Sequence, residues 1–332
     1  MIILPSKKQT GQIPFSFGLN LPTAVASAIQ TIESIESEAS TSLEIVKKKE
    51  TLWKKEVVNR LSPFKAIGDM WIATTAGLKL DENEYHTLAK YLISAPKQRT
   101  KEKDGWLRIE NQLAEIREQI HPFHWELEFP DVFFDKNGIK KADTGFDAVL
   151  GNPPYISTQS SSGFAYREGL EYLFGFADDL YVHFVFKGFN LLKQGGIFGF
   201  IISDTFFTLS TKQRLRELFQ NNRLTHLVQC DPFKATVDTA IFVAEKTKPK
   251  EDDELVFIQA RYKTEKSAPE TELLNLIKGM PEFGKGETNF KYNNKDYPVY
   301  HTKQGCLRIH KTNIEPFRKA LKQAFFEPAD AI

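Results

Sequence analysis

The sequence predicts an α/β protein in which a helical segment precedes a partial, helix-covered parallel sheet and a small α+β region follows it. Three observations carry this prediction. Apolar residues recur at helical spacing through the first third of the chain, and short apolar runs then alternate with helical stretches, a pattern typical of parallel sheets. Beyond a charged linker over 248–254 the periodicity weakens, and Lys, Asn and Tyr become frequent. We therefore expect three segments, 1–120, 121–247 and 255–332.

The composition is that of an ordinary globular protein. The chain has 332 residues, of which 41% are hydrophobic and 26% charged, with a net charge of +1, so contact with nucleic acid must come from a local basic surface. Cys230 and Cys306 lie too far apart for metal-ligand spacing, which predicts no metal site and a reducing, cytoplasmic location. No run approaches the roughly 18 apolar residues of a membrane span, so we expect no membrane contact. The 27 Phe predict a Phe-rich core.

Helices dominate the first third of the chain. Between Leu21 and Arg60 apolar residues alternate with lysines at helical spacing, which predicts one long amphipathic helix that Pro63 ends. The following patterns predict helices over 64–77, over 82–93 with Asp81 as N-cap, and over about 107–120.

The sheet begins after an aromatic-rich stretch that starts at His121, where we place a domain junction. The apolar run Phe146–Leu150 lies between glycines and predicts a buried parallel strand. Two helix-to-strand units and an antiparallel hairpin at one edge of the sheet are then expected. Their predicted elements are a helix over 179–192, a strand over 197–202 after a Gly195-Gly196 turn, a helix over 211–220, and strands over 224–229 and 239–244.

The sharpest local feature is Asn152-Pro153-Pro154-Tyr155, which follows the strand Phe146–Leu150 after Gly151. Ligands of open α/β sheets bind beyond the carboxyl ends of the strands, so a catalytic loop belongs here. The two prolines fix two φ angles and remove two N–H donors, which leaves a loop of hydrogen-bond acceptors.

Such a loop can activate an exocyclic amine whose lone pair is delocalised into an aromatic ring. The side-chain oxygen of Asn152 and the carbonyl of Pro153 can accept both amine hydrogens and direct the lone pair out of the ring plane. Tyr155 offers a flat face for the base and π-electrons for a nearby sulfonium methyl. The structural alternative is a rigid turn that merely leaves a strand.

The order of several motifs resembles the N6-adenine DNA methyltransferases, in particular the TaqI-like enzymes and the large methylase subunits of type IIG-like restriction or phage-defence systems. The tetrapeptide alone is shared with protein-glutamine and ribosomal-RNA methyltransferases, but the series, spanning roughly Phe64 to Lys246, is more specific. The motifs are His121-Pro122-Phe123-His124-Trp125, Phe129-Pro130, Gly145-Phe146-Asp147, Gly151 to Ile156, Asp179-Leu180-Tyr181, Leu191 to Gly196, and Leu215-Arg216.

The resemblance implies a Rossmann-like sheet that uses S-adenosyl-L-methionine and methylates a flipped adenine in double-stranded DNA. It implies that Asn152, Pro153, Pro154 and Tyr155 form the catalytic loop, with Asn152 and Tyr155 also near the cofactor. By the same resemblance, three further residues bind the base: Asp179, Tyr181 and Phe233. Each of these three has a plainer interpretation, as a helix cap or as a core aromatic residue.

One departure from the family pattern stands out. The family's Gly-rich cofactor loop, Phe-x-Gly-x-Gly after the first strand, is not found. A cofactor loop follows a strand and precedes a helix, whereas the glycines at 195, 196 and 199 follow a predicted helix and precede a predicted strand. A degenerate loop within Gln9–Asn20 is the alternative. We expect a chain that lacks the cofactor-binding half and needs a partner that carries it.

Two other functions stay open: a protein-glutamine or RNA methyltransferase, and an inactive or partner-dependent DNA-binding subunit. The segment from Leu255 onward is interpreted as the start of a target-recognition region because basic and aromatic residues are interleaved there. These residues are Lys285, Lys291, Tyr292, Lys295, Tyr297, Tyr300, Lys303, Arg308 and Lys311.

Overall fold

The computed structural model describes residues 21–75, 78–94, 103–160, 167, 169–171, 173–207, 209–230, 239–250, 252–259, 289–292 and 295–303. The chain divides into two compact units, Met1–Thr144 and Gly145–Ile332, here called the helical unit and the sheet unit. Within the described ranges, no helix combines the length and the apolar character that crossing a membrane requires.

The helical unit confirms that the first third of the chain is α-helical. Its core is built from apolar side chains of the third, fourth and fifth helices, among them Ile67, Met70, Leu88 and Leu113. The elements are α1 Leu21–Ser37, α2 Leu43–Leu52, a π-helical segment Trp53–Val58, α3 Asn59–Thr75, α4 Glu82–Ile93, α5 Lys103–Ile120, α6 Trp125–Glu128 and α7 Pro130–Phe133.

The prediction that Pro63 ends a single long helix is wrong. The chain breaks between α1 and α2, and Pro63 lies inside α3. Proline removes the N–H that would bond the carbonyl four residues earlier, but here the Ser62 hydroxyl donates to that carbonyl, Asn59 O, at 2.9 Å. The lost backbone bond is therefore replaced locally, and the helix continues. By contrast, Asp81 caps α4 as predicted, in a capping box with Glu84.

The segment that follows α5 packs within the helical unit. His124 Nε2 lies 2.6 Å from Oδ1 of the buried Asp69, and Arg117 Nε donates to Asp69 Oδ2 at 2.6 Å. The His124 ring lies so close to Gly68 that a Cβ there would be 2.4 Å from it. These contacts tie the segment to α3 and α5, and the compact helical unit ends at Thr144.

The sheet unit holds a seven-stranded mixed sheet in the order β1-β2-β4-β3-β5-β7-β6. The pairs β1–β2 and β3–β5 are parallel, and the other pairs are antiparallel. The strands are β1 Phe146–Gly151, β2 Leu192–Ser203, β3 Arg223–Cys230, β4 Thr239–Glu245, β5 Glu254–Gln259, β6 Asn289–Tyr292 and β7 Lys295–Lys303. Two helices that belong to this unit are α8 Leu180–Leu191 and α9 Gln213–Gln220. These elements confirm the predicted mixed α/β class and the helix-to-strand alternation.

Two details of the predicted sheet are wrong. The antiparallel hairpin is not at an edge, because β4 lies between β2 and β3, where its alternating buried side chains serve the interior of the sheet. Gly195-Gly196 forms an irregularity inside β2 rather than a turn before a strand, since Gly195 has φ +73° and the register with β1 shifts between Leu192 and Ile197. Gly195 N–H bonds Lys246 O at 3.1 Å and Lys246 N–H bonds Gly196 O at 2.9 Å, so both glycines lie within β2.

Phenylalanines fill the core of the sheet unit, as the composition predicted. Phe198 and Phe242 cross edge to face with ring centroids 5.2 Å apart, and Phe219 lies 4.7 Å from Phe242. Helix α8 approaches the sheet closely because Gly188 lies against the Phe198 ring, where a Cβ would be only 2.3 Å away. This core holds the ends of the strands that carry the candidate site.

Strand β1 is less buried than its apolar sequence predicted. Among the described strands it pairs only with β2, and Leu150 is 88% exposed. Gly145 introduces β1 at φ +139°, where a side chain would collide with the backbone of Leu191 and Leu192. The free side of β1 is thus an open sheet edge within the part of the chain that the structure describes.

Candidate active site

The carboxyl ends of β1, β2 and β3 lie at one edge of the sheet. Strand β1 is parallel to β2, and β4 runs antiparallel to both β2 and β3, so β1, β2 and β3 share one direction. Asn152 follows β1 directly and Asp204 follows β2. Polar side chains therefore meet at the edge where open α/β sheets bind their ligands.

The Asn152 to Tyr155 loop leaves β1 with its polar groups outward. Asn152 and Pro154 are exposed, Pro153 is buried, and the Tyr155 ring is partly buried against the core. The Tyr155 hydroxyl lies 3.1 Å from Asn152 Oδ1 and 3.0 Å from the carbonyl oxygen of Ile201 in β2. A phenol carries one hydrogen, so Tyr155 can donate to either acceptor and release the other.

The loop is attached to the start of α8. The Leu180 N–H donates to the Ile156 carbonyl at 2.9 Å, and the rings of Tyr155 and Tyr181 have centroids 6.4 Å apart. Tyr181 is only 2% exposed, and its hydroxyl lies 3.0 Å from Thr205 Oγ1. Burial raises the pKa of Tyr181 above the ordinary phenol value. Tyr181 therefore carries a neutral hydroxyl, and its ring lies beside that of Tyr155 in the loop.

Asp179 precedes α8 and belongs to a group of three charges in which Lys212 is buried and the side chains of Asp178 and Asp179 are 12% and 26% exposed. The Lys212 ammonium donates to Asp178 Oδ1 and lies 2.6 Å from Asp179 Oδ2, while the Lys212 side chain is only 2% exposed. The same ammonium lies 5.2 Å from the centre of the Tyr181 ring, within range of a cation–π interaction. One cation thus contacts both carboxylates and the tyrosine.

His183 lies one turn into α8 and is a neutral residue of this region. Its Nε2 accepts a hydrogen bond from the Asp178 N–H at 2.9 Å, and its ring stacks on Phe176 with centroids 4.7 Å apart. Its Nδ1 is buried without a partner. Burial lowers the pKa of His183 to about 4. The ring is therefore uncharged at neutral pH and is not a base exposed to substrate.

The structure brings together six of the seven site residues that the sequence predicted, and Phe233 lies outside the described residues. Sequence reasoning missed Asp178, His183 and Lys212. The Asp178-Asp179 doublet before an apolar helix is a signal that could have indicated a partly buried acidic pair. Lys212 gives no such signal, because its position in the pattern of 211–220 is that of a solvated lysine.

The described residues do not form a cradle for the nucleoside part of S-adenosylmethionine. Such a cradle needs backbone N–H groups in a Gly-rich turn between a strand and a helix. Gly151 ends β1, but prolines without N–H groups follow at 153 and 154, and the Phe200 ring fills the space beside Gly151. The alternative, a degenerate loop within 9–20, lies outside the described residues. Among the described residues, no cluster of His, Cys, Asp or Glu is arranged to hold a metal ion.

Comparison with known families assigns the domain that carries this loop. Residues 36–235, more than half of the chain, match the family model of the Eco57I restriction-modification methylase. The chain belongs to the Eco57I restriction-modification methylase family. The resemblance to restriction-modification methylases noted from the motifs is thereby confirmed.

One relative is a protein of Methanocaldococcus jannaschii that carries the name of a type II restriction enzyme and methyltransferase. It is 35% identical over 150 residues, which are 43% of this chain and 11% of the relative. The chain thus matches only about a tenth of that protein's length.

Two solved structures show weak likeness. The M protein of the type I restriction enzyme EcoKI is 11% identical, with a TM-score of 0.33, over 95% of this chain and 72% of that one. The type IIG restriction endonuclease BpuSI is 16% identical, with a TM-score of 0.32, over 54% of this chain and 20% of that one. At these scores the likeness supports no conclusion about this chain.

Proposed function

We propose that the chain carries the catalytic loop of an adenine-specific DNA methyltransferase, which transfers a methyl group from S-adenosylmethionine to N6 of a flipped adenine. The observation that carries this proposal is the Asn152-Pro153-Pro154-Tyr155 loop at the carboxyl end of β1, inside the family match and attached to α8. The enzyme would serve a restriction-modification or phage-defence system in the cytoplasm.

The loop supplies acceptors for the amine. Asn152 Oδ1 and the Pro153 carbonyl each accept one N6 hydrogen, which turns the lone pair out of the ring plane and toward the methyl group. In the structure the Tyr155 hydroxyl is within reach of both Asn152 Oδ1 and Ile201 O. When adenine enters, Tyr155 donates to Ile201 O alone, and Asn152 Oδ1 accepts from the amine instead.

The base is held by stacking. A base within a duplex cannot present its amine in line with the methyl donor, so the adenine must leave the stack. Tyr155 provides one face for the flipped base, and Phe233 is proposed for the other. Asp179 and Tyr181 support this pocket at the start of α8 and are proposed as base-binding residues.

The cofactor half is proposed to come from a partner chain or from another segment. Two observations support this: the described residues lack a cradle for the nucleoside, and β1 has a free edge among the described strands. Leu150, at 88% exposure, and Asp147, whose side chain is 88% exposed, lie along that edge. A further strand added there would place the missing cradle beside Asn152. Bound S-adenosylmethionine would supply the electrophilic methyl group.

The domain roles follow from this proposal. Segment 1–120 is a helical insertion, 121–247 the catalytic half, and 255–332 the start of a target-recognition region that binds double-stranded DNA. The described backbone of the last segment forms part of the sheet. Strand β5 pairs in parallel with β3, and β7 pairs antiparallel with β5.

A transfer assay with several acceptors tests the proposal. The chain is tagged and purified, with whatever binds it, from cells that also carry the flanking reading frames. S-adenosylmethionine with a tritiated methyl group is then added. Double-stranded DNA, ribosomal RNA and a protein extract are offered separately. We expect label in DNA only. Label in RNA or protein would favour the alternative methyltransferases, and DNA binding without any label would favour an inactive DNA-binding subunit.

A further inference from the structure

Lys212 is a buried cation at a place where burial is costly. Its side chain is 2% exposed, and its ammonium contacts both Asp178 and Asp179. A buried ion cluster stabilises a fold little compared with apolar side chains of the same volume, although breaking it by removing one member is destabilising. General stability therefore explains this lysine poorly, and its neighbours indicate another role.

Those neighbours connect Lys212 to the catalytic loop in two steps. Asp179, which Lys212 contacts at 2.6 Å, is followed by Leu180, whose N–H donates to Ile156 O at 2.9 Å. Ile156 directly follows Tyr155. A rotation of the first turn of α8 would therefore pull on the loop through this hydrogen bond.

A second route runs through the aromatic rings. The ammonium lies 5.2 Å from the centre of the Tyr181 ring, and that ring lies 6.4 Å from Tyr155. The Tyr181 hydroxyl is held in turn by Thr205, 3.0 Å away at the end of β2. Lys212 thus fixes both the backbone and the ring that support the loop.

We propose that Lys212 is a positioning residue for methyl transfer: by fixing Asp179 and Tyr181 it holds the Asn152 to Tyr155 loop in the geometry that accepts the amine. This inference rests on the proposed function. The Lys212 side chain is only 2% exposed, so it acts through its neighbours, and its effect passes through the Leu180 to Ile156 hydrogen bond. Its loss should lower the rate of transfer more than the affinity for DNA.

A control cation is available in the same unit, with a side chain that is 39% exposed where that of Lys212 is 2% exposed. Arg223 also bridges two carboxylates, Glu245 at 2.8 Å and Asp253 at 3.5 Å. It begins β3, so it lies at the amino end of that strand, whereas the loop lies at the carboxyl ends of the strands. Arg223→Met removes a bridging cation far from the loop. Lys212→Met removes the one beside it, and Lys212→Arg keeps the charge.

Hydrogen exchange of the full chain gives a readout that needs no activity. We expect Lys212→Met to speed exchange of the Leu180 amide, which donates to Ile156 O, at least about tenfold relative to Arg223→Met. Lys212→Arg should restore part of the protection. Equal protection in the two Met variants would overturn the proposal.

Methyl transfer gives the second readout. In the tagged material described above, Lys212→Met should lower single-turnover transfer by about 10- to 100-fold with DNA affinity within about twofold, whereas Arg223→Met should leave transfer per folded molecule unchanged. If Lys212→Met fails to fold, the double variant Asp178→Asn with Lys212→Met removes one of the excess charges. It should fold and still transfer slowly, and normal transfer by it contradicts the proposal. If the unaltered chain labels no nucleic acid, the proposed function fails, and the exchange result alone decides whether Lys212 holds the loop.

Discussion

The Tyr155 hydroxyl lies 3.1 Å from Asn152 Oδ1 and 3.0 Å from Ile201 O, so one donor faces two acceptors. This relationship lets Tyr155 donate to Asn152 Oδ1 when no substrate is bound and to Ile201 O when an amine arrives. The proposed acceptor is therefore oriented before the base enters, which reduces the ordering that the reaction must supply.

Tyr155→Phe keeps the ring and removes the donor. A neutral hydrogen bond contributes about 1 kcal/mol, so we expect methyl transfer to fall by about tenfold or less. Tyr155→Ala also removes the stacking face, which contributes about 1–3 kcal/mol for a base on an aromatic side chain, and should cost about 100-fold or more. Single-turnover transfer compares the two, with urea unfolding as the control for lost packing. Equal losses in both variants would mean that the ring does not stack on the base.

Acid should destabilise the sheet unit through His183. Burial lowers its pKa to about 4 from the ordinary 6.5, while Asp178 and Asp179 oppose that shift and Lys212 adds to it. Because the pKa of His183 is lower in the folded chain than in the unfolded one, its contribution to the free energy of unfolding is fully present above about pH 6.5. That contribution is lost as the pH falls toward 4. We expect about 2 kcal/mol of loss between pH 7 and pH 5 from this group.

The measurement is the free energy of unfolding in urea at several pH values between 4.5 and 7.5, for the unaltered chain and for His183→Gln. Burial also lowers the pKa of His226, so the difference between the two chains isolates His183. A His183→Gln chain with the same pH slope as the unaltered one would show that His183 is not the group responsible.

Three lysines of the last segment are expected to contact phosphates. Lys291 lies in β6, and Lys295 and Lys303 begin and end β7. Changing all three to Gln should lower the slope of log affinity against log salt by about 2 to 3, since each phosphate contact releases about one counterion. Lys47, Lys48 and Lys54 of the helical unit, changed to Gln, give a control of equal charge. Equal slopes for both triple variants would argue against a target-recognition role for this segment.

The purified chain should not bind S-adenosylmethionine appreciably by itself. No cradle for the nucleoside exists among the described residues, and the free edge of β1 is where a cofactor half would join. Calorimetric titration of the chain alone, and of material co-purified with products of the flanking reading frames, separates the cases. Heat from the co-purified material only is expected. Micromolar binding by the chain alone would indicate a self-sufficient enzyme with a degenerate loop.

Local patterns predicted most of the elements and the loop, because they depend on neighbouring residues. The strand before Asn152, helix α8 and the Asp81 cap were all readable in this way. The place of β4 inside the sheet was not, because strand order depends on pairing between distant segments. Pro63 within a helix depends on one side-chain bond from Ser62.

The candidate site was predictable at its centre and not in its support. Asn152 and Tyr155 follow a strand, a relation that the sequence displays. Lys212 meets Asp178 and Asp179 across more than 30 residues of sequence, and nothing in its local pattern distinguishes it from an exposed lysine. Long-range burial of charge is therefore what the sequence could not reveal.

The identity of the methylated nucleoside tests the central claim most directly. Cells that carry the gene and its flanking reading frames are grown with deuterated methyl-methionine, and their DNA is digested and analysed by mass spectrometry beside that of an Asn152→Ala strain. The account predicts deuterated N6-methyladenine in the first strain and a loss of at least about 100-fold in the second, with DNA binding by the purified variant retained, because the lost acceptor acts in the transition state. Methylated cytosine in place of methyladenine, or undiminished methyladenine in the Asn152→Ala strain, would contradict it.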